Sequence, residues 1–162
     1  MIQKIVSILI RKLLLVSILC GTIKSPEQIK IDVDKEDLNY LSAVMQLENG
    51  NRTGDLEQDN KRLLLTGSVV LNRVNSDSWS GDTIKDVILA KEGKYWQYAP
   101  NTRNNFMSLK ANDHIQLLAK YLLIYGPICP ENVVYQGQTV NGSGEYDRIH
   151  VKGDKDEIFC YQ

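Results

Sequence analysis

Histidine and cysteine are scarce here: His114 and His150 are the only histidines, and Cys20, Cys129 and Cys160 the only cysteines, in 162 residues. No Cys-x-x-Cys or His-x-x-x-His spacing occurs, so the chain lacks the donor set of a zinc centre, and neither a metal nor an organic cofactor is expected. Charge of one sign is missing too. The formal net charge is -1 with acids and bases interspersed, which removes the electrostatic case for nucleic acid. Internal repeats, low-complexity tracts and sustained heptads are absent as well, which excludes solenoids and coiled coils and leaves a monomer as the expectation. No apolar run reaches spanning length without a charge: a helix from Ile5 to Ile23 would carry Arg11 and Lys12 near its middle, at roughly 2.5 to 3.5 kcal/mol each.

The composition, 43% hydrophobic and 24% charged, suits one ordinary core and therefore one domain. Its first 22 residues differ from the rest. Lys4, Arg11 and Lys12 precede the apolar run Leu13 to Leu19, and small residues follow, the order of a secretory signal peptide. Residues 1–22 are read as a leader, or an anchor if left uncut, and the protein as exported, extracellular or held at the wall or membrane by this segment. Attachment of lipid at Cys20 is disfavoured by Leu19, where a small residue is required. Residues 23–33 read as a linker and 34–162 as the functional domain. Past the leader only Cys129 and Cys160 remain, an even pair that either forms a disulfide or sits as two separate thiols.

Four helical patterns come first. One runs from an Asp34 cap to Asn49-Gly50, with Glu36 and Asp37 in its first turn. A second, from about Lys61 to Val74, is apolar around most of its circumference and reads as the buried central helix, with Gly67 and Ser68 permitting close approach of a neighbour. "GDTIKDVILAK", capped by Asp82, and "NDHIQLLAKYLLIYG", capped by Asn112 or Asp113 and stopped at Gly126-Pro127, are the third and fourth. The period then changes: "NVVYQGQ", "DRIHVKG" and "DEIFCYQ" predict a small antiparallel sheet. The fold class is α+β, mainly helical.

One residue violates the helical pattern. On the first domain helix Tyr40, Leu41, Val44, Met45 and Leu47 occupy one half of the cylinder, and Glu48 falls in the middle of that half. A carboxylate among apolar groups loses hydration and holds its proton to higher pH, the property a general acid needs. The plainer alternative is a helix-end glutamate that reaches water or pairs with a buried base such as Arg73.

The ordered combination "AVMQLENGN", polar loop, "GSVVLNRVNSDSW", "DTIKDVI" and "YWQYAP" resembles the cell wall hydrolases of the spore-cortex-lytic type. The corresponding positions are Glu48, Val70 to Val74, Thr83 to Ile88 and Gln97 to Pro100, and the likeness covers roughly Leu38 to Ile158. The resemblance implies a lysozyme-like helical core with a small C-terminal sheet. It further implies cleavage of peptidoglycan glycan strands, with Glu48 as the single acid of a lytic transglycosylase or muramidase. This chain differs from the family pattern at Glu48-Asn49-Gly50-Asn51, where a second Glu is usual, and at Glu157-Ile158-Phe159-Cys160, where the pattern begins with His.

Other residues fit a sugar site by type. Trp96, Gln97 and Tyr98 combine ring faces for sugar C–H surfaces with an amide for hydroxyls. Asn72 and Arg73 close the buried helix and either bond neighbouring backbone or help orient Glu48. Tyr146, Asp147 and His150 approach a strand and are candidates for the rim of a cleft. Trp79 reads as core. "DLEQD" has acids at alternate positions, but Asn60 stands where a calcium loop needs Gly, so it reads as a solvated loop. Two further functions compete with glycan cleavage. One is a catalytically degenerate wall-binding module or partner for another lytic protein; the other is a peptidase or amidase using Cys129 with His150.

Overall fold

The structure, a computed structural model, describes residues 2–50, 53–79, 81–92, 94–98 and 109–162. Asn51 and Pro100, two of the positions in the family resemblance, lie outside them. Helix α1 spans Ile2–Leu19, α2 Lys35–Glu48, α3 Leu56–Val74, α4 Ile84–Leu89 and α5 Asp113–Tyr125. A short antiparallel hairpin, β1 Lys91–Glu92 with β2 Tyr95–Trp96, follows α4. Strands β3 Val133–Gly137, β4 Gly144–Ile149 and β5 Glu157–Tyr161 form an antiparallel sheet in the order β3-β5-β4. The architecture is α+β, with the helices preceding the three-stranded sheet.

Helix α3 is the centre of the molecule because it touches α2, α4, α5 and β3. Leu65 and Val69 have almost no exposed surface and pack with Val133, Ile149 and Phe159 beneath the sheet, while Leu63, Leu64 and Val70 join the larger core of α2, α4 and α5. Gly67 explains how these helices come so close: a Cβ there would lie 2.4 Å from Leu122 Cδ1 and 2.9 Å from Met45 Sδ. Helix α3 begins earlier than its apolar pattern. Asp55 caps it by accepting from the amides of Glu57 and Gln58, so "DLEQD" is the cap and first turn of a helix and not a solvated loop. Thr83, not Asp82, caps α4, and Asn112 caps α5. Gly126 ends α5 with φ 80°, a left-handed conformation that glycine adopts without strain.

The N-terminal segment is folded onto the domain. Leu14, Leu15, Ile18 and Leu19 of α1 pack against the main core. Arg11, out of place in an apolar run, donates to the Tyr121 hydroxyl at 2.9 Å and to the Pro127 carbonyl at 2.9 Å, placing its cation at the C-terminal end of α5. Residues 23–33 differ from the expected linker: Pro26–Gln28 form a 3-10 turn, and the buried Lys120 ammonium donates to the carbonyls of Pro26 and Ile29. Among the described residues no helix is long and apolar enough to cross a membrane. Cys129 and Cys160 are both buried and both free thiols, so the disulfide alternative is not realised.

Candidate functional site

Helix α2 ends at Glu48, and two ties to α3 fix that end. Asn49, the C-cap, donates its amide to the Met45 carbonyl at 2.7 Å and to Thr66 Oγ1 at 3.2 Å. Arg62 donates from Nη2 to the Glu48 carbonyl at 3.2 Å, satisfying one of the acceptors that every helix terminus leaves over. The Glu48 side chain is half-buried and lines a cleft of about 350 Å³. The opposite wall comes from the sheet: Gln136 and Gly137 of β3, and Asp154, Lys155, Asp156 and Glu157 on the approach to β5. Arg73, Gln97 and Tyr98 complete it.

The electrostatics of the cleft centre on two buried arginines. Arg62 pairs through Nε with the Glu157 carboxylate, and Gln136 Nε2 donates to the other Glu157 oxygen; Arg62 and Glu157 are only 7% and 8% exposed. Arg73 donates Nε to the Val134 carbonyl at 2.7 Å and lays its guanidinium 4.1 Å over the Trp79 ring and 5.4 Å from the Tyr98 ring centre. Burial pushes the Tyr98 phenol above its ordinary value; Arg73 opposes that shift and Glu48 adds to it, so tyrosine, arginine and glutamate are electrostatic neighbours. The guanidinium acts on the Tyr98 hydroxyl chiefly through its charge: it stands over the ring, and among the described residues the enclosed hydroxyl, like Gln136 Oε1, meets no partner at hydrogen-bond geometry. On the rim, His150 and then Arg148 bond Asp156 and hold its carboxyl below the usual range.

The cleft thus brings together Glu48, Arg73, Gln97 and Tyr98 of the residues expected from sequence. Comparison with family models, curated proteins and solved structures returns no match. The case for a site accordingly rests on the geometry. Four expected residues lie off the cleft wall. Asn72 is buried and spends its amide on the Pro130 and Val133 carbonyls at 2.7 and 2.9 Å, so it anchors the entry to β3. Trp96 has its ring covered by the Lys91 ammonium at 3.9 Å. Tyr146 packs edge-on against Tyr161 at 5.6 Å over the smaller core. Asp147 is tied to Lys61 at 2.7 Å. Trp79, expected in the core, is instead half-buried as the lid on Arg73.

Sequence reasoning missed Arg62, Gln136 and Glu157. Glu157 carried a signal, since an acid opens a strand whose next three residues are apolar, but its partner lies 95 residues away in the chain. A second cavity, about 180 Å³, adjoins the first across Arg62 and is lined by Asn49, Asn60, Leu63, Asn112, His114 and Ile115, among others. Burial lowers the His114 pKa below its ordinary value, and its ring nitrogen meets Asn60 Oδ1 at 2.6 Å. The cysteine alternative finds little support. Cys129 lies in the smaller core, where burial pushes its thiol up to about 11, whereas the His150 side chain is 82% exposed and bonded to Asp156. Among the described residues no His/Cys/Asp/Glu group could hold a metal ion.

Proposed function

We propose that this protein is an exported enzyme that cleaves the glycan strands of peptidoglycan, on a lysozyme-like helical core, with Glu48 as general acid and then base. The observation that carries the reading is a half-buried glutamate, anchored at its own carbonyl, in the wall of a polar cleft of a size to hold sugar rings. Gln97, Gln136 and Gln138 offer amides for hydroxyl and acetamido groups, and Arg73 and Lys155 offer cations for the acidic substituents of a muramic strand.

In this mechanism Glu48 gives its proton to the glycosidic oxygen as the C1–O bond breaks and positive charge grows on the departing sugar. The resulting carboxylate takes the proton of the muramic 6-hydroxyl, whose oxygen closes on C1 to leave an anhydro end. A muramidase would instead deliver water at C1. A second carboxylate in the usual two-acid arrangement must be available as nucleophile or base. Glu157 lines the cleft, but both its oxygens are committed to Arg62 and Gln136, which favours the single-acid route.

One observation favours a second reading, a wall-binding module or a partner for another lytic protein. Guanidinium charge beside a carboxyl favours its ionised form, and the cleft holds Arg62 and Arg73. Digestion of purified peptidoglycan followed by mass analysis separates the readings. Anhydromuramic ends support the transglycosylase, reducing ends the muramidase, and sedimentation with intact, uncleaved wall supports the binding module.

A further inference from the structure

Glu157 is a carboxylate of the cleft that is both enclosed and bonded to a cation on α3. Its partner Arg62 does two things at once, holding the Glu157 carboxylate with Nε and the Glu48 carbonyl with Nη2. Water screens this pair poorly because both residues are less than one-tenth exposed. A full positive charge is therefore fixed beside the residue read as the proton donor, and the Glu157 carboxylate opposes it.

The other charged groups of the cleft do not serve that purpose. Arg73 also comes from α3, but it is spread over the Trp79 and Tyr98 rings and bonded to a carbonyl. Asp156 is engaged with His150 and Arg148 on the rim, and its neighbours Asp154 and Lys155 offset one another in formal charge. Tyr98 remains a neutral phenol near neutral pH. With Glu157 neutral, the field of Arg62 would act on Glu48 more strongly.

We infer that Glu157 is a positioning residue of the site: it locks Arg62 against the end of α2 and neutralises its charge, which allows Glu48 to keep the proton that glycan cleavage consumes. The inference rests on the reading of Glu48 as acid, and it adds the device that makes such an acid compatible with a guanidinium beside it.

The test is a carbon-13 titration of the Glu48 carboxyl in the full chain, which needs no activity, paired with the pH profile of kcat on purified peptidoglycan. Glu157→Gln keeps the shape and removes the charge; the Glu48 midpoint falls by roughly one unit, and the alkaline limb of kcat moves with it. Arg62→Gln leaves the negative charge unopposed and moves the midpoint the other way, and the two substitutions together return it towards wild type. Glu157→Asp restores the charge and preserves the midpoint. A Glu48 midpoint that stays put or rises in Glu157→Gln overturns the assignment, and so does one that stays put or falls in Arg62→Gln, so either variant suffices if the other does not fold. Persistent cleavage by Glu48→Gln would overturn the reading of Glu48 as acid instead, independently of where its carboxyl titrates.

Discussion

Replacing Gly67 by alanine sets two effects of known size against each other at the centre of the fold. In a helix interior alanine is favoured over glycine by about 0.8–1.0 kcal/mol. Against this, the new methyl would lie 2.4 Å from Leu122 Cδ1 and 2.9 Å from Met45 Sδ, far inside the roughly 3.5–4.0 Å at which carbon atoms attract. Both neighbours are side-chain ends that could swing away in an open site, but Leu122 and Met45 have no exposed surface, so they have no empty space to enter. Overpacking of this kind costs about 1–3 kcal/mol, and the difference leaves Gly67→Ala less stable by about 0–2 kcal/mol, or a few degrees in Tm. Urea unfolding with an unchanged m value measures it. Gly67→Val should lose more, and Leu122→Val added to Gly67→Ala should recover part of the loss. A Gly67→Ala protein more stable than wild type by the full helical preference would refute the close approach of α2, α3 and α5.

Removing one member of the buried ion pair, as in Arg62→Met, should cost about 3–5 kcal/mol in urea unfolding, because a charge is left enclosed; Arg62→Met with Glu157→Leu should cost much less. Asn72→Leu leaves the Pro130 and Val133 carbonyls without their donor and should lower stability by about 1–3 kcal/mol, while KM for peptidoglycan stays unchanged. His114 has a folded-state pKa depressed by burial, so its contribution to stability is present above its ordinary value of 6.5 and is lost as pH falls through that value towards the folded one. In unfolding measured over this range, His114→Gln should flatten the slope. A thiol reagent should label the exposed Cys20 first and reach Cys129 and Cys160 only on unfolding, since both are buried and burial keeps Cys129 protonated.

What was legible in the sequence was what local pattern decides. The Asp34 and Asn112 caps, the Gly126 stop and the buried circumference of α3 are written in residues within a turn or two of the feature they set. Glu48 was legible for the same reason, as a break in a helical stripe. Some misplacements came from partners distant in the chain and others from local chemistry that two readings share. Asn72 was a candidate for the site because its position on α3 says nothing about carbonyls 58 and 61 residues further on. Trp96 suits a sugar platform by its type, while its covering by Lys91 depends on the register of a two-residue hairpin. The alternating acids of "DLEQD" suit a loop and obscure the cap at Asp55. Arg62 and Glu157 had no readable relation at all, since only the packing of β5 against α3 makes one the partner of the other.

The most direct test of the central claim is the turnover of Glu48→Gln on purified peptidoglycan, with its urea midpoint measured alongside. Loss of a general acid from a correctly folded enzyme should reduce kcat by roughly 10²- to 10⁴-fold with the midpoint near wild type. A folded Glu48→Gln protein that clears the wall at close to the wild-type rate would show that the proton comes from elsewhere.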